Sequence, residues 1–540
     1  MRIAIAQTNP TICHFEENLE EILAQVQLAA EKKADLVIFP ECSVFGYHPF
    51  DLLERTELVQ QQLVFIKKFL KKIPAKIHVV LGAITVNPNK KGRPYFNSAL
   101  LVKKNKIVKE FHKQLLPTGD VFDEARFIEA GDLSQNYFVL NGHRFFLSIC
   151  EDIWSWPDQK NASPYKTNPL LKVSKKKVDL VINISASPFH YEKFKLRHHV
   201  VSKTAQYFKA PMVYVNMVGA QDEIIFDGAS FVVDAKGKLK FRCQSFSEDM
   251  NVFDLPSLNP WSPSAPATEG AEQLRRAIVL GIRDYCQKSN IQRIHFGLSG
   301  GIDSAVVACL AVDALGPNAV HAIAMPGPYN AELSLSLAEQ LSQNLGIGFS
   351  NIPITNTYNT VLSELEKSFL PSSMTLTHEN IQARLRGLFL MAYSNQNQSL
   401  LLSTSNKSEY ATGYSTLYGD MCGGLAPLGD LLKRDVYALA KHYNRESELI
   451  PGEIITRPPS AELRPNQKDQ DSLPPYDALD ESVNHLVTQS KKSRNETDQW
   501  VLNKIYQTEF KRWQAPPILK ISPHAFGRGR RWPLAFKIKK

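Results

Sequence analysis

The sequence lacks any apolar run near the roughly 18 consecutive residues that a membrane-spanning helix needs. The apolar stretch closest to its start, IAIA, is shorter than the core of a signal peptide. Low-complexity segments are also missing, and hydrophobic residues make up 43% and charged residues 22% of the 540 positions. These are ordinary globular values, so disordered and fibrous classes are excluded. We expect a soluble, cytoplasmic protein with no membrane partner.

Cysteine is scarce, and none of the seven cysteines forms a CxxC pair. This pattern argues against a disulfide framework and against a structural zinc site. Isolated cysteines in a reducing compartment are mostly small buried hydrophobic residues, and occasionally one of them is a nucleophile.

Acidic residues are missing from the last 16 positions, which carry six basic residues, and the net charge of the chain is +9. Such a tail can bind nucleic acid or remain solvated. Because the body of the chain is near neutral, a small-molecule enzyme is favoured and no nucleic-acid partner is expected.

A proline-rich segment, 255–272, divides the chain and predicts a linker, because it has neither helical nor strand periodicity. In 1–254, short apolar runs alternate with amphipathic segments such as 15–33, which indicates a layered α/β domain. In 273–540, a predicted helix, the strand RIHFGLS, a second helix and the strand VHAIAMP follow in turn. That βαβ rhythm predicts a mostly parallel, doubly wound sheet.

A glycine-rich loop, GLSGGIDSA (297–305), lies between the predicted strand and helix of the second half. Its glycines and serines let backbone amides and a helix N-terminus approach a phosphate. The carboxylate of Asp303 suits Mg²⁺. The spacing is neither that of a Walker loop nor GxGxxG, and a plain turn is the alternative interpretation.

This loop resembles the SGGxDS loop of the ATP pyrophosphatases, which cleave ATP between the α- and β-phosphates. Downstream segments, among them ENIQARLRG and LLSTSNKSEYATGYSTLYGDMCGG, resemble NAD synthetases over 265–531. The resemblance implies ATP and deamido-NAD as substrates and Mg²⁺ held by Asp303 and Glu409. It also implies ATP contacts by Gly297, Leu298, Ser299, Gly300, Gly301, Ile302, Asp303, Ser304, Thr404, Lys433 and Ser460, and deamido-NAD contacts by Asn380, Glu409 and Lys511.

Some features of this half have two interpretations. Ser405 and Trp513 stand where the family usually has glycine and arginine. Arg384 and Arg386 could form a solvated helix face, and Asn406 with Lys407 could cap a turn. The segment 457–480 is either a connector or, as we expect, a mobile lid.

Three chemistry-prone residues follow predicted strands in the first half: Glu41, Lys113 and Cys150. Each residue alone is weak evidence for catalysis, since a cysteine at a strand end is more often a buried packing residue than a nucleophile. Together they supply a base, an electrostatic stabiliser and a nucleophile for amide cleavage. A nearby lysine ammonium favours the thiolate form of the cysteine, and a carboxylate can accept the proton that the thiol loses.

The contexts FPE, HKQLLP and SICEDIW resemble the nitrilase/amidase superfamily over residues 1–250. The resemblance implies a four-layer α-β-β-α sandwich with Glu41 as base, Lys113 as stabiliser and Cys150 as nucleophile. It also implies that Glu124 orients substrate and lysine and that Tyr47, Ser187 and Lys193 line a glutamine pocket. Gly119 stands where related glutaminases often have a tyrosine.

The combined pattern resembles the glutamine-dependent NAD synthetases, in which ammonia from glutamine amidates an adenylated carboxylate. We expect a homo-oligomer. Another amidotransferase with a different acceptor acid, and an adenylating tRNA-modifying enzyme, are the alternatives. A pure binding or scaffold role fits two catalytic constellations poorly.

Overall fold

The structure is a computed structural model that describes residues 1–89, 91–156, 165–173 and 177–538. It divides into two compact units. One comprises Met1–Gln221 with Ile225–Thr268, and the other comprises Asp222–Ile224 with Glu269–Lys540.

Most of the strands precede residue 269. They are β1 (Arg2–Gln7), β2 (Leu36–Ile38), β3 (His78–Val86), β4 (Tyr95–Lys103), β5 (Lys106–His112), β6 (Thr118–Gly119), β7 (Phe122–Asp123), β8 (Tyr137–Leu140), β9 (His143–Ile149), β10 (Leu180–Ser185), β11 (Met212–Asn216), β12 (Val218–Gln221), β13 (Ile224–Asp227), β14 (Phe231–Val233), β15 (Leu239–Arg242), β16 (Asp249–Asp254) and β17 (Asn259–Pro260). The helices of this part are α1 (Phe15–Glu31), α2 (Thr56–Lys72) and α3 (Lys193–Phe208).

Two sheets form the centre of this part of the chain. One has the order β17-β16-β1-β2-β3-β4-β5, and the other has the order β15-β14-β11-β10-β9-β8. Apolar side chains of both sheets, among them Ile5, Val80 and Ile182, share one core. The α3 helix packs Val200 against the outer face of the second sheet, and α2 packs on β3 of the first. The predicted α-β-β-α sandwich is confirmed.

The inner strands β2, β10 and β11 are buried on both faces, so they are almost continuously apolar rather than alternating. Strands β1, β2 and β3 are parallel, and so are β9, β10 and β11. Parallel strands direct their carboxyl ends to one edge, where the connecting loops carry the candidate catalytic residues.

Part of the predicted linker 255–272 is regular structure. Asn259–Pro260 forms β17, in which Pro260 pairs with Phe253 of β16, and a helix begins at Gly270. Residues 255–268 belong to the first unit. A two-residue edge strand containing proline has no periodicity for a sequence pattern to detect.

Between residues 269 and 538 the structure has four strands, β18 (Ile294–Gly297), β19 (Val320–Ala324), β20 (Gly348–Asn351) and β21 (Leu400–Leu401). The helices of this part are α4 (Gly270–Lys288), α5 (Ile302–Leu315), α6 (Glu332–Leu345), α7 (Thr355–Glu366), α8 (Leu376–Asn397), α9 (Lys407–Thr412), α10 (Lys433–Tyr443), α11 (Gly452–Thr456), α12 (Tyr476–Val483), α13 (Glu496–Gln507) and α14 (Glu509–Arg512).

The four strands form one parallel sheet in the order β20-β19-β18-β21. The predicted parallel α/β class is therefore confirmed. The chain moves outward from β18 through β19 to β20 and returns to the other side of β18 as β21. The carboxyl end of β18 is thus a topological switch point, the place where open α/β sheets bind ligands. In the described ranges, no helix combines the length and the apolar character needed to cross a membrane.

Candidate active sites

Lys113 is the centre of a buried charge cluster in the first unit. It immediately follows β5, and its Nζ lies 2.8 Å from Oε1 of Glu41 and 2.7 Å from Oε1 of Glu124. Glu41 comes from the loop after β2, and Glu124 begins a short 3₁₀ turn after β7. The sequence-predicted base, stabiliser and second carboxylate thus lie in direct contact.

Burial alone would lower the pKa of Lys113, but Glu124 and Glu41 outweigh that effect and raise it well above its usual value. Burial likewise opposes ionisation of Glu124, yet the Lys113 ammonium produces a net lowering of the Glu124 pKa. Lys113 and Glu124 are therefore charged at neutral pH, and the Lys113 ammonium contacts the carboxyl groups of both Glu41 and Glu124.

Further donors hold the two carboxylates. The Ala186 backbone N–H donates to Oε2 of Glu41 at 2.7 Å, and the Tyr47 hydroxyl donates to Oε1 of Glu124 at 2.8 Å. The Asn97 amide, on β4, donates to both carboxylates. The sequence analysis did not identify Asn97 as a site residue. The feature that could have indicated it is a polar residue inside an otherwise apolar strand, YFNSALLVK.

Cys150 begins the turn that follows β9, with its backbone in the left-handed region at φ 43°. Such a conformation is strained for a non-glycine residue and is common at functional positions. Burial and then the Glu41 charge raise the pKa of the Cys150 thiol well above its usual value, although Lys113 acts in the opposite direction. The expected thiolate-favouring effect of Lys113 is real but outweighed, so the resting thiol is protonated.

Ser187, one of the predicted glutamine-pocket residues, lies on the loop that follows β10. The Ser187 backbone N–H donates to the Asn216 side chain at 2.9 Å, and its hydroxyl accepts from Arg197 Nε at 3.2 Å. Arg197 is itself buried and pairs with Asp227 at 2.6 Å. Sequence reasoning missed this support, because Arg197 lies in a helix that is otherwise rich in charged residues.

Two further residues bear on the predicted pocket. Lys193, the first residue of α3, has its Nζ 4.6 Å from the centre of the Trp154 ring. Gly119 is exposed, with φ at 107°, and a Cβ there would meet nothing within 4 Å. A φ of this value disfavours any side chain, so the backbone at this position suits glycine better than the tyrosine that related glutaminases often have.

The glycine-rich loop joins β18 to α5 as the sequence predicts. Gly300 has a φ of 75°, and a Cβ at this position would lie 2.3 Å from the Ser334 carbonyl oxygen. The Ser304 hydroxyl accepts from Ser299 N–H at 3.3 Å and donates to Gly301 C=O at 3.0 Å. The loop is therefore held tightly, with glycine required where the chain turns.

Asp303, Lys433 and Glu409 meet at the switch point of the second sheet. Lys433 Nζ lies 2.5 Å from Oδ2 of Asp303 and 3.9 Å from Oε1 of Glu409. The Asn406 amide donates to Asp303 and to Glu409, at 2.9 Å in each case, while it also caps α9. Asn406 is thus more than the turn cap that the sequence suggested, and Lys407 beside it is buried against Asp430 at 2.7 Å.

The protonation of this cluster follows from its burial. Burial and the neighbouring Asp303 raise the pKa of Glu409 well above its usual value. Burial alone would lower the pKa of Lys433, but Asp303 and Glu409 outweigh it and shift this pKa upward. Glu409 therefore holds a proton more readily than an exposed glutamate does, while Lys433 stays charged beside Asp303.

One cavity of about 650 Å³ lies above this cluster, entirely within the second unit. It is lined by Gly297, Leu298, Ser299, Gly301, Ile302, Asp303, Ser304, Asn380, Thr404, Glu409, Lys433, Ser460 and Lys511, so every predicted nucleotide-contacting residue except Gly300 faces it. Gly300 instead approaches Ser334 and shapes the loop.

Several of these lining residues have fixed partners. Asn380 accepts from the Thr416 hydroxyl at 2.8 Å, and Lys511 donates to the Ser415 carbonyl at 2.6 Å. Ser460 donates to the Gln467 carbonyl at 2.6 Å. Such contacts preorganise the side chains around the cavity.

Of the other residues that the sequence analysis named in this half, some line the cavity and others are exposed to solvent. Arg386 lines the cavity and donates to the Met325 carbonyl at 3.0 Å, whereas Arg384 is exposed. Ser405 is buried at the cavity, and Trp513 is largely exposed.

The segment 457–480 lines the same cavity and is tied to the rest of the unit. Within it, Asp469 accepts from Tyr476 at 2.8 Å and from Tyr414 at 3.3 Å. Its mobility stays a prediction.

The basic C-terminal tail is partly neutralised. Arg530 pairs with Glu509 at 2.6 Å, and Arg528 pairs with Asp222 at 3.1 Å. This pairing reduces the charge that the tail could offer to a polyanion.

Comparison with known proteins gives two family matches. A carbon-nitrogen hydrolase model matches residues 2–259, and an NAD synthase model matches residues 274–515. The chain is 40% identical to a glutamine-dependent NAD(+) synthetase of Synechocystis sp., covering 99% of this chain and 98% of that protein. It is 36% identical to the enzyme of that name from Thermotoga maritima, covering 100% and 99%.

A solved structure agrees along the whole chain. The glutamine-dependent NAD+ synthetase of Acinetobacter baumannii, solved in complex with ADP, has 35% identity and a TM-score of 0.77. The match covers 99% of this chain and 98% of that one.

Proposed function

Because the chain belongs to the glutamine-dependent NAD(+) synthetase family, we propose that it amidates deamido-NAD to NAD⁺ with ATP and the amide nitrogen of glutamine. The observation that carries this is the presence, in one chain, of a buried Glu41–Lys113–Glu124 cluster beside Cys150 and of the Asp303–Lys433–Glu409 cluster beneath a nucleotide-sized cavity. We assign the glutaminase to 1–254, the connection to 255–272 and the synthetase to 273–540.

In the glutaminase half, the protonated Cys150 thiol needs a base at the moment of attack. Glu41 takes the thiol proton while sulfur bonds to the carboxamide carbon of glutamine. The Lys113 ammonium stabilises the developing oxyanion, and Glu41 gives the proton to the amide nitrogen as the C–N bond breaks, so that neutral NH₃ leaves. Water then cleaves the thioester and glutamate departs. Tyr47, Ser187 and Lys193 bind glutamine in this assignment, and Glu124 orients Lys113.

In the synthetase half, the nicotinate carboxylate of deamido-NAD attacks the α-phosphorus of ATP and pyrophosphate leaves. The backbone of 297–304 holds the phosphates, supported by the N-terminus of α5. The Lys433 ammonium, which lies beside Asp303, neutralises negative charge on the phosphates. Ammonia then displaces AMP from the adenylate, giving NAD⁺. Thr404 and Ser460 contact ATP, and Asn380, Glu409 and Lys511 contact deamido-NAD in this assignment.

The residues at the switch point fit Mg²⁺. Asp303 and Glu409 offer the hard oxygen ligands that this ion prefers. Among the residues the structure describes, no group of three or more His, Cys, Asp or Glu side chains could hold a metal. Two carboxylates plus substrate phosphates and water is the usual arrangement for Mg²⁺, which when bound would neutralise charge on the phosphates.

The test is a product assay with the purified chain, Mg-ATP, glutamine and either deamido-NAD or its mononucleotide counterpart. We expect NAD⁺, AMP and glutamate to appear together with deamido-NAD. AMP released only with another acceptor acid would contradict the proposed substrate. The cytoplasmic location, the absence of a nucleic-acid partner and the homo-oligomeric state stay predictions.

A further inference from the structure

The neutral side chain of Asn97 donates to both carboxylates of the glutaminase cluster. We propose that Asn97 is a positioning residue of the glutaminase, which keeps Glu41 and Glu124 ionised and fixed on either side of Lys113. The inference rests on the proposed glutaminase function of this site and assigns a role to a residue outside the Glu41–Lys113–Cys150 set.

The geometry uses every polar atom of the Asn97 side chain. Its Nδ2 lies 2.7 Å from Oε1 of Glu41 and 3.3 Å from Oε2 of Glu124. An amide nitrogen carries two hydrogens, so one is available for each carboxylate. The remaining atom, Oδ1, accepts from the Cys42 thiol at 3.8 Å.

The backbone of Asn97 fixes the third member of the cluster. Its carbonyl accepts from the Lys113 N–H at 2.9 Å, which continues the β4–β5 pairing beyond Ser98 and His112. Asn97 thus sets the position of Lys113 through its backbone and of both carboxylates through its side chain. Only the second set of contacts is removed by substitution, so the side-chain role can be tested separately.

The charge balance explains why a neutral donor is useful here. Glu41 and Glu124 share one ammonium in a site without solvent exposure, so ionisation of both carboxyl groups would leave one negative charge uncompensated. Hydrogen bonds to a buried carboxylate favour its charged form. An amide supplies them without a second cation, which would make Glu41 too weak a base to take the Cys150 proton.

The reaction depends on this balance at one step. When Cys150 attacks, the S–H bond breaks, an O–H bond forms on Glu41 and sulfur bonds to the carboxamide carbon. Glu41 must therefore start as the free carboxylate. Without the Asn97 donor, Glu41 takes up a proton more readily before the thiol can deliver one, and the enzyme is inactive over a wider acidic range.

The test compares Asn97→Leu, which keeps the approximate size but removes the donors, with the parent chain. We expect kcat of glutamine hydrolysis to fall about 10- to 100-fold, as when a general base is impaired. KM for glutamine should change less than about threefold, because Asn97 contacts the carboxylates and not the substrate. The acid limb of the pH profile should move to higher pH, so that raising the pH partly restores the rate.

The matched control is Asn251→Leu. Asn251 is buried in β16 of the same sheet, and its side chain hydrogen-bonds the Ser262 backbone. We expect its glutaminase pH profile to match that of the parent. If both variants lost activity equally with no change in the acid limb, Asn97 would be merely structural and the proposal would be wrong.

A second variant keeps the test decisive if Asn97→Leu does not fold. Asn97→Asp has the same shape but replaces the donors with a third carboxylate, so the acid limb should move further in the same direction. An unchanged profile in Asn97→Asp would overturn the proposal. Failure of the proposed function is a separate result, because it would appear as absent glutamine hydrolysis in the parent chain itself.

Discussion

The Nζ of Lys113 lies 2.8 Å from Oε1 of Glu41, and neither side chain is exposed to solvent. The same ammonium contacts Glu124, so removing it would leave two buried carboxylates without a counter-ion. We expect Lys113→Met to destabilise the first unit by about 3–5 kcal/mol, the usual cost of breaking a buried ion pair from one side. Denaturant unfolding followed by circular dichroism measures this. A change below about 1 kcal/mol would mean that the cluster is not fully desolvated.

The role of Cys150 is tested by Cys150→Ala. Glutamine-dependent NAD⁺ formation should fall on the order of 10³-fold or more, because no other group replaces a covalent nucleophile. Synthesis from high ammonium should persist, because the adenylating cluster belongs to the other unit. Both rates are read from NAD⁺ appearance. Glutamine hydrolysis at the parent rate would show that the nucleophile is a different residue.

The raised pKa of the Cys150 thiol predicts how its reactivity depends on pH. Because burial and Glu41 both disfavour the thiolate, the protonated form persists above the usual thiol range. Alkylation of Cys150 by iodoacetamide, followed by mass spectrometry of its peptide, should therefore still accelerate as the pH rises from 7 through 9. A rate that has already reached its plateau below pH 7 would mean that Lys113 dominates and the resting form is the thiolate.

Much of this site was predictable because its residues follow strands. Glu41, Lys113 and Cys150 lie just beyond apolar runs, and a strand end is visible in sequence as the point where such a run stops. Asn97 lies inside a strand instead, and its role depends on two carboxylates 56 and 27 residues away. No local pattern contains that information.

The site in the second unit also combines residues that a local motif predicts with residues that only the fold brings together. The loop at 297–304 is a contiguous motif, and the βαβ rhythm placed it between a strand and a helix. The contact of Asn406 with Asp303 joins positions 103 residues apart. It arises because β18 and β21 are neighbours in the sheet, and strand order is a property of the fold rather than of any one segment. Sequence alone left Asn406 as a simple turn cap.

Asp303 is tested by Asp303→Asn, which should remove AMP formation with glutamine and with ammonium alike, because adenylation precedes both. Basal glutamine hydrolysis should remain. The control is Asp313→Asn on the same helix, since Asp313 pairs with Arg275 and does not line the cavity. Equal AMP formation by the two variants would contradict the assignment of Asp303 as a ligand of the Mg-nucleotide.

The shape of the phosphate loop is tested with two glycines at either end of α5. Gly300 and Gly316 have positive φ values of 75° and 80°, so alanine is strained at both positions. Only at Gly300 would a Cβ collide, at 2.3 Å from the Ser334 carbonyl, whereas Gly316 has open space. Gly300→Ala and Gly316→Ala should each lower the free energy of unfolding by on the order of 1 kcal/mol, because alanine disfavours a positive φ. Gly300→Ala alone should also lower AMP formation by more than about 10-fold, since misplaced phosphates react poorly. Equal activity in both variants would show that the loop tolerates displacement.

The central claim is that one chain transfers the amide nitrogen of glutamine to deamido-NAD. The most direct measurement supplies amide-¹⁵N glutamine, Mg-ATP and deamido-NAD in a large pool of unlabelled ammonium, at a pH where free ammonia is scarce. The account predicts that NAD⁺ carries mostly ¹⁵N and that Cys150→Ala gives only unlabelled NAD⁺. NAD⁺ with label diluted to the bulk ratio would contradict it.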